Sequence, residues 1–374
     1  MGEYQYYEFQ AIDRPLDNAA QQALRSISSR ARITATSFTN HYEWGDLKGD
    51  PRKLMEQWFD LHLYLANWGM RRLAMKVPTR FLKRADTTPF LRELDWVEVW
   101  TSGDNVIVDI HRSEEEPGGD WDDGSRWLAM LAPLRADVIS GDLRLFYLLW
   151  LTAVQDELVS DNEIEPLPGI APMNEALEAF AKFFDIDRGL VKAAAETGAD
   201  DVTISKDSLS EALAAIPEEE KTQILLRLVE GNVHVAAELK SRIRNERPSP
   251  CVPHRTVGAL RARAREIREA EERAEAERRE AERRRRAKEA ERALRARLNV
   301  LKQRGTSVWR EIEQEIERRN ASGYDKAASL LSDLQALAIE EGGRDEFARR
   351  LASIRTRHQK KGKFIERLRG LTVR

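Results

Sequence analysis

From Thr256 to Arg304 the sequence is built almost wholly of arginine, glutamate and alanine, and neither glycine nor proline occurs from Ala259 to Gln303. These residues are strong helix formers. Glutamate precedes arginine by four positions at Glu269–Arg273, Glu275–Arg279, Glu280–Arg284, Glu282–Arg286 and Glu291–Arg295. Each pair shares one side of a helix and adds roughly 0.2–0.5 kcal/mol. The segment 256–304 is therefore predicted to be one long charged helix, on the order of 70 Å end to end. A coiled coil would need a continuous apolar seam. From Val257, Leu260, Ala264 and Ile267 that seam continues to Glu271, Ala274, Arg278, Ala281, Arg285 and Lys288, so it fails after two heptads. A single solvated helix is expected, anchored at one end by Val257, Leu260 and Ile267 and at the other by Leu294, Leu298 and Leu301.

The residues before this helix read as an α+β body. Tyr4 to Ile12 is aromatic and branched and predicts a strand. A helix is expected over Leu16–Ser29 and a strand over Arg32–Phe38. Asp50-Pro51 is a helix start, since Asp caps free amides and Pro is tolerated in the first turn. Leu54, Trp58, Leu61, Leu65 and Trp68 then share one stripe and predict a helix that runs to about Trp68, where Gly69 stops it. Leu73–Val77 reads as a short strand. Trp96–Trp100 and Val106–His111 flank Ser102-Gly103-Asp104-Asn105 and predict a hairpin. These elements form an antiparallel or mixed sheet with helices in a domain over 1–112. A helical domain follows over 125–247, with helices at Trp127–Val138, Leu143–Gln155, Asn174–Phe184, Arg188–Glu196, Lys206–Ala215 and Glu218–Glu230. The proline-rich residues 248–255 read as a stiff linker.

Beyond Gly305, the residues Trp309, Ile312 and Ile316 form one helical stripe. Tyr324, Ala327, Ala328, Leu331, Leu334 and Leu337 form a second, and Phe347, Leu351 and Ile354 a third. A small all-α domain of short antiparallel helices is predicted over 305–374.

Charge is split along the chain. Residues 255–374 hold 33 basic and 21 acidic residues, a net +12, and the remainder holds 28 and 43, a net −15. Such halves attract each other or two different partners. One cysteine, Cys251, excludes an intramolecular disulfide and fits a reducing compartment. The start MGEYQYYEF has neither the basic nor the apolar region of a signal peptide. The longest apolar run, Leu145–Val154, is far short of the ~20 residues of a membrane helix. A cytoplasmic location with no membrane association is expected.

The segments EYQYYEFQAIDRPL, WGDLKGDPRKLMEQWFDLHLYLANWG and YDKAASLLSDLQALA…EFARRLASIRTRHQKKGKFIERL resemble a family of uncharacterised bacterial proteins. The tail alone is similar to the helical C-terminus of some bacterial SWIM zinc-finger proteins, although the cysteine-rich SWIM motif is missing. The resemblance implies no catalytic residue.

No motif fixes a chemistry. Cys251 and His254 have half the spacing of a zinc site, with no second pair to complete it. Asp120, Asp122, Asp123 and Glu114–Glu116 lack the spacing of a calcium loop and read as a solvated acidic loop. His62 and His111, with Asp46, Asp50 and Asp60 near in sequence, allow a His/Asp hydrolytic arrangement to be imagined, but a structural histidine is the plainer reading. No phosphate loop, G-x-S-x-G or HExxH occurs. No catalytic, cofactor-binding or metal-binding residue is therefore assigned. Residues expected to meet a partner are Trp96 and Trp100, taken to lie on one face of a strand, together with Trp309, Tyr324, the run Arg283, Arg284, Arg285 and Arg286, and Lys360 and Lys361. The leading reading is a non-enzymatic adaptor that links protein partners through an acidic body and a basic helical tail. The alternatives are a nucleic-acid-associated component of a bacterial defence or regulatory complex, acting through residues 255–374, and an enzyme of unrecognised class in the body.

Overall fold

The computed structural model describes residues 3–113, 123–198, 206–232, 234–245 and 253–371. Its contacts divide the chain into two units, Met1–Glu271 and Glu272–Arg374.

The first unit is built on seven strands: β1 (Gln5–Gln10), β2 (Arg32–Ile33), β3 (Ser37–Tyr42), β4 (Leu61–Ala66), β5 (Met70–Pro78), β6 (Val97–Ser102) and β7 (Asn105–Ser113). They form one antiparallel sheet in the order β2-β3-β1-β4-β5-β7-β6. The expected hairpin is present as β6–β7, and Gly103 takes the positive φ of 56° that its two-residue turn needs. Both faces are apolar. Leu63, Leu73, Ile110 and Val97 lie in register across four strands on one face. Helices α3 (Arg84–Leu91), α4 (Trp127–Leu131), α5 (Pro133–Ile139), α6 (Arg144–Gln155), α7 (Glu175–Phe183) and α8 (Arg188–Ala195) contribute to the core on that side. The opposite face packs Phe9, Phe38 and Ile107 against α1 (Asn18–Ile27) and α2 (Pro51–Gln57). Three further helices complete the described elements of this body: α9 (Lys206–Ala215), α10 (Glu218–Val229) and α11 (Val235–Asn245).

Several local expectations change. The helix expected to reach Trp68 ends at Gln57, and Leu61–Ala66 is the strand β4. Leucine suits a helix, but β4 lies between β1 and β5, and its alternation fills both faces of the sheet. Trp68 and Gly69 instead belong to the β4–β5 turn, with φ 91° at the glycine. Trp58 is only half-buried, whereas Phe59 is wholly buried. The strand expected over Arg32–Phe38 breaks into β2 and β3. Pro133 divides the helix expected over Trp127–Val138, because proline supplies no amide to continue it. Helix α11 was not expected.

The long helix α12 (Val257–Arg304) is unbroken. In the first unit Val257, Leu260 and Ala264 are buried and Ile267 is half-buried. Its start is held by Glu165, whose carboxylate accepts from the Arg255 backbone N–H at 2.8 Å, from the Arg255 guanidinium and from the Tyr147 hydroxyl at 2.5 Å. Residues 248–252 lie outside the described residues, and the described residues that follow them belong to this body.

The second unit takes the other end of α12 together with α13 (Ser307–Glu317), α14 (Ala321–Glu341), α15 (Arg344–Arg357) and α16 (Gly362–Arg367). Leu298, Leu301, Ile312, Leu331, Leu351 and Phe364 are among its core. Leu294, an expected anchor, is exposed. No helix among the described residues is long and apolar enough to cross a membrane.

Candidate partner-binding groove

In the second unit the turn after α12 is made at Gly305, whose φ of 53° is costly for any residue with a Cβ. Asn320 caps α14 by accepting from the Gly323 N–H at 2.7 Å. A Cβ on Gly323 would lie 2.5 Å from the Glu315 carbonyl oxygen, so glycine allows α13 and α14 to approach. Between the end of α12 and helices α13–α15 an open groove remains, with a cavity volume of about 290 Å³.

Leu301, Trp309, Leu334, Leu337, Ala338 and Phe347 line it with apolar surface, and Lys302, Glu341, Glu346 and Arg350 supply charge. Trp309 and Phe347 are neighbours, with ring centroids 6.0 Å apart. The Arg350 guanidinium stands over the indole at 5.2 Å and donates to Glu346 at 2.6 Å. Lys302 meets Glu341 at 2.6 Å, and that hydrogen bond holds its ammonium above the ordinary lysine range. The rim charges are thus already paired, and the lining is apolar: Leu301, Leu334 and Phe347 are buried, and Trp309, Leu337 and Ala338 are half-buried. This arrangement can take up an apolar side chain; it offers no nucleophile with an adjacent base.

Of the residues expected to meet a partner, only Trp309 lies in this groove. Tyr324 is buried in the same unit against Phe364, with centroids 5.6 Å apart. Arg283, Arg284, Arg285 and Arg286 are exposed on α12, paired respectively with Glu280, Glu280, Glu289 and Glu282. Lys360 is exposed, while Lys361 donates to the Ile316 carbonyl oxygen and to Glu317. His358 and Arg357 both bind Glu313, and Arg355 caps the carbonyls of Leu368 and Leu371. Much of the basic tail is therefore committed to its own fold. Leu301, Lys302, Leu337 and Arg350 were not foreseen as groove residues. The stripe through Leu334 and Leu337 was visible, but from it only Tyr324 was expected to meet a partner.

In the first unit Trp96 and Trp100 lie on opposite faces of the sheet, not on one. Trp96 precedes β6 and packs near Phe184, with Arg112 over its ring at 5.4 Å. Trp100 donates to Glu56 at 3.0 Å and carries Arg52 over its ring at 3.9 Å. His62 is on β4 and fully buried, stacked on Phe9 at 3.9 Å. Its Nδ1–H donates to the Glu8 carbonyl oxygen at 3.1 Å, and Nε2 is left without a hydrogen-bond partner. Burial, reinforced by the Arg72 guanidinium, pushes its pKa down to about 3. The acids near it in sequence serve elsewhere. Asp46 accepts from Gln5, Asp50 caps α2, and Asp60 binds the Ile12 and Asp13 amides and Lys76. His111 lies on β7 opposite Arg72.

A second group of charges gathers at Asp13, which accepts from Arg135 at 2.9 and 2.6 Å and meets His234 Nε2 at 3.1 Å. Burial would raise the Asp13 carboxyl, but the hydrogen bonds and charge of Arg135 outweigh it and hold the group below its usual range. His254 Nδ1 is hydrogen-bonded to the Glu165 carbonyl oxygen at 2.8 Å. Cys251, Glu114–Glu116, Asp120 and Asp122 lie outside the described residues. Among the described residues no group of three His, Cys, Asp or Glu side chains is placed to hold a metal. The chain matches no known family model, no curated protein and no solved structure.

Proposed function

We propose that the chain is a non-enzymatic interaction protein whose C-terminal unit holds a protein partner through the groove around Trp309. The observation that carries this reading is the half-buried apolar surface of Trp309, Leu337 and Ala338 above the buried Leu301, Leu334 and Phe347, in an otherwise well-packed helical unit. Tryptophan in a desolvated pocket is a common source of binding energy. Nucleic-acid association through residues 255–374 is less well supported, since the arginine run on α12 and much of the tail's basic charge are already ion-paired with glutamate. Counterion release by phosphate contact rewards basic groups that are free to neutralise it.

A photo-crosslinking residue at Leu337, in the full chain and in extract of the host cell, should capture a discrete protein. The same residue at Arg278, on the exposed middle of α12, should not. The purified partner should then bind Trp309→Ala more weakly by about 2 kcal/mol, or roughly 30-fold. Equal capture from both positions, or unchanged affinity for Trp309→Ala, would refute the groove as the docking site.

A further inference from the structure

Helix α10 turns Glu220 and Arg227 toward α11 and leaves its leucines outward. Arg227 pairs with Glu238 of α11 at 2.6 Å, and Arg242 of α11 pairs with Glu220 at 2.5 Å. These bridges turn one polar side of α10 toward α11, and none of its residues is buried. The apolar residues point to solvent instead: Leu225 is 60% exposed, Leu226 56%, Leu228 54% and Val229 85%. A contiguous apolar face of this kind marks an interaction site on a soluble body.

Charge selects its occupant. Both cations of α10 are satisfied, Arg227 by Glu238 and Lys221 by Glu218 at 2.8 Å. Among the described residues Glu219 and Glu230, at the two ends of the leucine face, have no ion pair. The residues before 255 add a net charge of −15. A second copy of α10 would bring acid against acid, whereas an apolar stripe flanked by lysine or arginine meets both features. We propose that α10 is a docking face for a basic amphipathic helix of a partner protein, read by its apolar stripe and steered by the acidic ends. This face belongs to the first unit and does not rest on the groove around Trp309.

The test uses the full chain and a fluorescent 18-residue helical peptide, with leucine at the i, i+3, i+4, i+7 positions and lysine elsewhere. A twin peptide carries glutamate in place of lysine. Fluorescence anisotropy should show binding of the lysine peptide that weakens several-fold as salt is raised, and at least tenfold weaker binding of the twin. The double variant Leu225→Ser/Val229→Ser should lose at least tenfold in affinity, while Trp309→Ala retains it. The double variant Glu219→Lys/Glu230→Lys keeps the leucines and should reverse the preference toward the glutamate twin. Equal binding of the two peptides by wild type, or a preference unmoved by the charge reversal, would overturn the proposal. So would sedimentation showing a wild-type dimer that Leu225→Ser/Val229→Ser converts to monomer, because the face would then be a self-interface. Binding of wild type to neutral lipid vesicles in preference to the lysine peptide would also overturn it, in favour of a membrane surface.

Discussion

Lowering the pH from 7 to 5 should destabilise the first unit through one residue, His62. Its imidazole is fully buried between strands, its Nδ1–H is spent on the Glu8 carbonyl oxygen, and its pKa falls from the ordinary 6.5 to about 3. The unfolded chain therefore binds a proton between these two values that the folded chain does not. Stability rises with pH wherever the unfolded state holds more protons, so it must fall as the pH drops through this window. At pH 5 the unfolded imidazole is almost fully protonated and the folded one is neutral. Each pH unit below 6.5 costs about 1.4 kcal/mol, which gives a loss of about 2 kcal/mol between pH 7 and 5. The figure depends little on the folded value so long as that lies well below 5. Phenylalanine keeps the ring stacked on Phe9 and removes the titration, while the carboxylates titrate in both proteins and cancel in the comparison. Urea unfolding followed by tryptophan fluorescence suits the experiment, because eight of the nine tryptophans precede Glu271. Wild type should lose about 2 kcal/mol more than His62→Phe over this range. Identical pH slopes for the two proteins would refute the argument and show that His62 takes up its proton in the folded state.

Glu165→Ala should destabilise by about 3–5 kcal/mol in the same assay at pH 7, because it strands the Arg255 guanidinium and the buried Tyr147 hydroxyl without their acceptor; a loss below 1 kcal/mol would show that water replaces the carboxylate. Phe59→Ala should cost roughly 3–5 kcal/mol as a core truncation, and Trp58→Ala distinctly less, since Trp58 is only half-buried. Equal losses at these two neighbours would contradict the placement of the α2–β4 junction.

The elements legible in the sequence were those whose local pattern admits one period. Glu→Arg spacing without glycine or proline specified α12, and Ser102-Gly103-Asp104-Asn105 between β-rich runs specified the β6–β7 turn. Trp309, Ile312 and Ile316 likewise marked α13. The segment Leu54 to Trp68 admitted two periods. Leu61 and Leu65 fit a helical stripe with Leu54 and Trp58, yet Leu61, Leu63 and Leu65 also alternate with His62 and Tyr64. Pairing decides between them: β4 meets Gln10 through Leu61 and Ala74 through His62, partners 51 and 12 residues distant that no local window contains. A leucine-rich central strand is where propensity gives way to tertiary context. The same register explains His62, whose buried position depends on the strand assignment and on nothing near it in sequence.

Periodicity also shows which residues share a helix face without showing which way that face turns. Trp309 was identified from its stripe, but the groove exists because the end of α12 and the start of α15 approach α14 without closing over Leu337 and Ala338. The end of α12 and the start of α15 lie 40 residues apart in sequence. For α10 the pattern in Ile224-Leu225-Leu226-Arg227-Leu228-Val229 reads as an inward apolar face, as it does in most surface helices. The ion pairs from α11 reverse it: Glu238 holds Arg227 and Arg242 holds Glu220, so the polar side faces the neighbouring helix and Leu225 and Val229 face solvent. Exposed ion pairs contribute little to stability, and they do not compensate on their own for leucines left in water. An apolar face held outward by such weak contacts is better accounted for by an occupant that covers it than by the stability of the isolated chain.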